Sequence, residues 1–141
     1  MSEMHIRLLG PSDQAVLDNV AADVFDNAID ARLAREFLSD PHHHIAVAIL
    51  ADQVIGMASG VHYLHSDKPQ EMWINEVGVA AAYRGRGVGG ELLEALKARA
   101  RELGCNDAWV LTEPGNLAAR RLYASAGGTE ANTIYVTIPL T

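Results

Sequence analysis

The first half of the chain reads as short apolar runs broken by polar turns, and the second half carries apolar positions at helical spacing. Residues 3–9 alternate weakly around Ile6 and Leu8, which predicts a short strand. Gly10-Pro11-Ser12-Asp13 is a turn with a helix-start signal. Ala15, Val16, Val20 and Val24 then recur with a helical period, with Leu17 and Ala21 beside them, until Asp26-Asn27. A second short helix fits Ala31–Leu38 and stops before Asp40-Pro41, because a residue preceding proline disfavours the helical region. His44 to Leu50 is a dense apolar and β-branched run, Ala51-Asp52-Gln53 a tight join, and Val54 to Leu64 a second extended run; together they predict a hairpin. After the polar loop 65–70, Met72 to Ala80 is a further strand.

Val88, Leu92, Leu93, Leu96, Ala100 and Leu103 form one apolar stripe, and Gly104 ends that helix. Asp107 to Thr112 comes next as a strand. Strand, crossover helix and strand in this order imply a parallel pair. Asn116 is positioned as the N-cap of a helix over Leu117–Ala126, closed by Gly127-Gly128, and Thr133 to Leu140 alternates as a last strand. The sum is an α/β domain of mixed sheet, antiparallel in its N-terminal half, with a parallel pair at the centre and helices around it. No linker, repeat or low-complexity tract divides residues 1–141, so one domain is expected.

Composition narrows the function classes. About half of the residues are apolar and about a fifth charged, as in a globular protein. No apolar run approaches the roughly 20 residues of a membrane helix, and Met1-Ser-Glu-Met-His-Ile lacks the basic and apolar regions of a secretory leader. The single cysteine, Cys105, fits a reducing compartment, so a cytoplasmic protein is expected. A net charge of −7 argues against general nucleic-acid binding and suits a cationic small substrate.

The candidate chemistry centres on Arg84-Gly-Arg-Gly-Val-Gly-Gly90, where a helix begins. Helix starts carry unpaired N–H groups and roughly half a positive charge. Glycines let those groups approach a phosphate closely, and the two arginines add charge. Residues 85–90 match G-x-G-x-x-G literally, but Ala81 to Arg84 separate the turn from its strand and only one βαβ unit is present, so a dinucleotide fold is rejected. Neighbouring residues entering a strand point to opposite sides, so His42-His43-His44 suggests no metal site. Trp73 and Trp109 read as core residues. Cys105 has no base beside it in the sequence and is rejected as a nucleophile.

Val79-Ala-Ala-Ala-Tyr-Arg-Gly-Arg-Gly-Val-Gly-Gly-Glu-Leu-Leu93 resembles the acetyl-CoA motif of the GNAT N-acetyltransferases, with Arg84, Gly87 and Gly89 in its fixed positions. Asn116-Leu-Ala-Ala-Arg-Arg-Leu-Tyr-Ala-Ser-Ala-Gly-Gly128 resembles that family's second signature. The two stand in the family's order and spacing, and the strand pattern agrees from residue 3 to 140. Within the family, Ile74 to Arg84 is most similar to the type I aminoglycoside 3-N-acetyltransferases, which carry an acidic residue at the position of Glu76.

The resemblance implies about six to seven strands with the central parallel pair splayed, four helices, and acetyl-CoA as cosubstrate with no metal. The pyrophosphate is expected on the backbone of Arg86, Gly87, Val88, Gly89 and Gly90, with charge from Arg84 and Arg86. The pantetheine arm is expected between the splayed strands, pairing with backbone around Val77 and Val79, where Gly78 permits close approach. Asn116 is expected to touch that arm or to serve only as a cap.

An alkylammonium with pKa ~10.4 must lose its proton before it attacks a thioester, at a cost of roughly 4–5 kcal/mol at pH 7. Glu76 is the candidate base, directly or through a water; its alternative role is to bind a cationic substrate. A backbone N–H near Val79 is the expected oxyanion donor. Tyr123, on the same helix face as Asn116, matches the family's usual acid for the departing thiolate. His62, His65 and Glu113 are further cleft candidates, and loops near residues 24–40, 62–71 and 129–134 are expected to bind the acceptor. The reading is direct acetyl transfer to a primary amine of a cationic small molecule, an aminoglycoside being the specific expectation. Its rivals are a polyamine, an amino acid or a protein amine as acceptor, and a non-catalytic CoA-binding sensor. Homodimers are common in the family, and the sequence admits one.

Overall fold

A computed structural model describes residues 3–141. Its centre is one five-stranded sheet in chain order: β1 (His5–Leu8), β2 (His43–Leu50), β3 (Gln53–Tyr63), β4 (Glu71–Val79) and β5 (Asp107–Trp109). The first four strands pair antiparallel and β5 joins β4 in parallel. The β2–β3 turn is tight because Ala51 and Asp52 both take positive φ, 50° and 63°, as a two-residue hairpin of matching twist requires. Layers cover both faces, so β2 and β3 are buried along most of their length and read as continuous apolar runs.

One layer is the helix α2 (Val88–Glu102), whose Leu92, Leu93 and Leu96 pack on Ala46, Ala58, Met72 and Ile74. The other comprises a 3-10 stretch, Pro11–Asp18, the helix α1 (Ala31–Ser39) and the loop between them, which close over Val47, Val54 and Met57 through Leu17, Leu38 and, from the loop, Val24. A third helix, α3 (Leu117–Ser125), lies against the start of α2 and buries no residue completely.

A bulge in β4 decides which of its side chains meet which layer. Ser59 faces Glu76 but Gly60 faces Ile74, so β4 carries one extra residue there. The phase of the strand reverses across it. Met72 and Ile74 pack toward α2 before the bulge, and Val77 and Val79 do so after it. Glu76 and Gly78 therefore face the α1 side.

Three expectations are corrected. The first helix is only the 3-10 stretch: Asp13 leaves the helical region at φ −105°, while its carboxylate accepts bonds from Gly10 N and Arg7. The chain then gives its backbone to the sheet, with Ala21 N on Val54 O and Val54 N on Asn19 O, both 2.9 Å. The 107–112 run pairs only over its first three residues. The sheet has five strands among the described residues rather than six or seven, because residues 133–140 pair with nothing.

Candidate active site

The start of α2 is built to leave its donors free. The N-caps of α1 and α3 are side chains: Asp30 accepts from Leu33 N at 3.0 Å, and Asn116 Oδ1 accepts from Ala119 N at 3.1 Å. The N-cap of α2 is Gly87, in the left-handed region at φ 81°, with no side-chain cap. Its first-turn N–H groups thus point outward with no partner from the cap residue. Arg84 and Arg86 border this start. Arg84 Nε donates to Val79 O at 2.9 Å, and the Arg86 guanidinium lies 5.8 Å from the Tyr83 ring centroid. Gly89 lies where a Cβ would come within 3.2 Å of Leu122, so α3 sits directly against the turn.

Beside this turn the sheet opens. β4 and β5 pair only at Glu71↔Asp107, Met72↔Ala108 and Trp73↔Trp109. Beyond Trp73, β4 continues to Val79 bonded to β3 alone. Its other backbone edge, residues 74–79, has no strand partner past the end of β5, which leaves a gap in the sheet there. A pantetheine-like chain, with its own amides, needs such an unpaired edge, and a pyrophosphate needs such an uncapped helix start. The residues present therefore fit acetyl-CoA. Val77, Val79 and Tyr123 contact one and the same apolar cluster under α2.

Glu76 lies on the other face of the same strand. Partial burial and the nearby Asp26 carboxylate raise its pKa above the ordinary carboxylate range. Asp26 belongs to a cavity of about 580 Å³ whose wall includes Asp18, Asp23, Phe25 and Ile29. The loop that carries it is pinned to β4 at Gly78: a Cβ there would lie 2.1 Å from Val24 O. Gly78 thus admits the chain's own backbone, not the expected ligand. Burial raises the pKa of the Tyr123 hydroxyl, so it holds its proton at neutral pH.

The other candidates fall away from this gap. His62 is buried, bonded through Nδ1 to His44 Nε2 at 2.7 Å and stacked near His42. His65 Nε2 pairs with Glu71 at 2.7 Å. Each is thus held by a partner within the fold. Glu113 is exposed, and its carbonyl accepts from Asn116 N in the turn before α3. Trp73 and Trp109 stack at 5.5 Å, but Trp109 stays 38% exposed, so it is no core residue. Sequence reasoning missed Asp26; its one signal was the acidic spacing of Asp23 and Asp26 in a loop. Among the described residues no group of three or more His, Cys, Asp or Glu is arranged to hold a metal, and no helix is long and apolar enough to cross a membrane.

This geometry, an uncapped glycine turn feeding a helix beside a split parallel pair, has counterparts. The sequence profile of the Acetyltransferase (GNAT) family matches residues 15–127. The chain belongs to that family. It is 38% identical over 64 residues to an L-2,4-diaminobutyric acid acetyltransferase of Streptomyces avermitilis, covering 45% of this chain and 36% of that one. It is 30% identical over 97 residues to the uncharacterised N-acetyltransferase YycN of Bacillus subtilis, covering 69% of this chain and 62% of that one. The matches thus span about a third and about three-fifths of these relatives' lengths. The fold is shared with the aminoglycoside N-acetyltransferase AAC(6')-Iy solved with CoA, at TM-score 0.82 and 19% identity, over 100% of this chain and 97% of that one.

Proposed function

We propose that this chain transfers the acetyl group of acetyl-CoA to a primary amine of a cationic small molecule, with an aminoglycoside as the specific acceptor class. The observation that carries the reading is the two-sided construction of β4. One side offers a backbone edge with no strand partner beside the uncapped helix start; the other places Glu76 near Asp26, whose loop lines an acidic cavity. Acetyl-CoA, when bound, supplies the activated acyl group.

The chain's residues do the rest. The N–H groups of Arg86 to Gly90 and the charges of Arg84 and Arg86 hold the pyrophosphate. The backbone at Val77 and Val79 pairs with the pantetheine arm, and an N–H near Val79 stabilises the charge that develops on the thioester oxygen. Asp18, Asp23 and Asp26 attract the ammonium acceptor, and Glu76 takes the proton that the amine must lose. Its raised pKa leaves it a better base than an exposed glutamate. Tyr123 gives its hydroxyl proton to the departing thiolate. Asn116 serves α3 as its cap.

The relatives support an amine acceptor without fixing which one. The aminoglycoside enzyme shares the whole fold at low identity, so type I 3-N regiochemistry stays a finer proposal than the fold carries. The diaminobutyric acid enzyme shares sequence over less than half of the chain and favours a second reading, a diamino acid as acceptor. Thiol release from acetyl-CoA across a panel of aminoglycosides, diamino acids and polyamines decides. An aminoglycoside is expected to accelerate release most. If CoA binds and no amine accelerates release, the chain is a sensor. Glu76→Gln is expected to remove the acid-limb ionisation from the pH–rate profile; an unmoved profile reduces Glu76 to a substrate ligand.

A further inference from the structure

The bulge in β4 puts Trp73 on the same sheet face as Glu76. Met72 and Ile74 pack toward α2, so Trp73 between them points to the other side. Next to β5, Val110 packs under α2, so Trp109 and Leu111 on either side of it share the face of Trp73. On β3, Ala58 packs under α2, and Tyr63 falls on the opposite face by alternation. None of Tyr63, Trp73, Trp109 and Leu111 joins the apolar cluster under α2 or the one under α1. The face that carries Glu76 therefore runs on into an aromatic strip that neither layer covers.

The strip is held rigid. The two indoles stack at 5.5 Å with 15° between their planes. Trp109 Nε1 donates to the Tyr63 hydroxyl, so the one polar group of that indole is satisfied within the fold. Stacking uses one face of each ring, yet Trp109 keeps 38% of its surface in water. Carboxylates stand at both ends. Glu71 and Asp107 are register partners one row before the tryptophans and on the same face; Glu71 pairs with His65, and Asp107 is exposed. Glu76 lies on the other side, roughly 10 Å of strand beyond Trp73.

We propose that Trp73 and Trp109, held by Tyr63, form the subsite for the distal, ammonium-bearing ring of an acceptor of two or more rings whose reacting amine lies at Glu76. The proposal rests on the acetyl-transfer reading above and deepens it. Indole faces attract ammonium groups, and the flanking carboxylates add to that attraction. A preformed face takes a ring without paying to order itself. A short diamino acid held at Glu76 does not reach the strip, so the subsite favours aminoglycosides over the diamino acid reading.

Trp73 and Trp109 are the only two tryptophans of the chain, so indole emission reports on this subsite. With CoA present, titration with neamine, a two-ring aminoglycoside, is expected to change the emission saturably. A flat titration, or an equal change with glucosamine or spermidine, overturns the subsite. Trp109→Ala is expected to raise the KM for neamine about tenfold and to lower the preference for neamine over glucosamine by a similar factor. Trp109→Phe, which keeps a ring face, is expected to restore most of that preference. An unchanged preference in Trp109→Ala overturns the assignment. If no amine is acetylated, the acetyl-transfer reading fails while the emission titration still decides the subsite. If amines are acetylated and the emission stays flat, the subsite alone fails.

Discussion

β2 and the strip 107–112 are both apolar, and the fold treats them oppositely. His43 to Leu50 pairs on both edges, with β1 and β3, and Ala46, Val47 and Ala48 have no exposed surface. Asp107 to Thr112 pairs on one edge for three residues, and only Val110 is even half-buried. The difference separates two tasks. The β1–β3 side with α2 carries stability, because its apolar area is already withdrawn from water. The β5 side with α3 leaves backbone and apolar surface unsatisfied, which is the condition for binding something else.

Breaking each side should therefore produce different losses. Tyr123→Phe is expected to lower turnover by ~10²–10⁴-fold with CoA affinity and melting temperature nearly unchanged. Steady-state kinetics beside calorimetric CoA titration measures this, and unchanged turnover removes Tyr123 as the acid. Leu92→Ala strikes the closed side, where Leu92 is fully buried. It is expected to cost about 2–5 kcal/mol of stability in a urea titration, with catalysis preserved in the folded fraction. A loss below about 1 kcal/mol would show that α2 does not anchor the sheet.

The closed side also contains the His44–His62 pair. Burial, then the nearby His62, lowers the pKa of His44 from 6.5 to about 4. Below pH 6.5 the unfolded chain takes up a proton that the folded chain refuses. Stability from this group is thus full above pH 6.5, declines by up to about 1.4 kcal/mol per pH unit on acidification, and levels off below about 4. His62 is lowered in the same direction, again first by burial. Urea midpoints measured across this range in wild type and His44→Leu test it, and parallel curves refute the assignment. The smallest effect is expected on the open side: Asn116→Ala removes the cap of α3 at a cost of about 1 kcal/mol. A much larger fall in CoA affinity than in stability would restore Asn116 to the coenzyme site.

The elements with their own local signals were legible in the sequence. The stripe from Val88 to Ala100, the run from His44 to Leu50 and the Asn116 cap all state their structure within a dozen residues, and the structure keeps them within a residue or two. The glycine turn was legible because a bare helix start needs unusual residues. What failed depended on distant partners. Val20 sits at helical spacing from Val16 and Val24, yet it bridges Val54. Val110 to Thr112 has strand composition, but pairing needs a neighbour that the splay withdraws. His42, His44 and His62 lie on one face of neighbouring strands, an arrangement that inspection of adjacent histidines alone does not reveal. The proximity of Asp26 to Glu76 arises from Val24 crossing Gly78, a contact spanning more than 50 residues.

The bulge in β4 has a consequence for how such a protein diversifies. With the strand's phase reversed at residue 75, Val77 and Val79 answer to α2 and the coenzyme gap, while Glu76 and Gly78 answer to the loop at 20–30. The two sets interleave along one strand without sharing a neighbour. On the function proposed above, that loop is an exchangeable cassette for acceptor choice while the coenzyme wall stays constant. The one fixed term is Gly78, where a single methyl group would unseat the cassette.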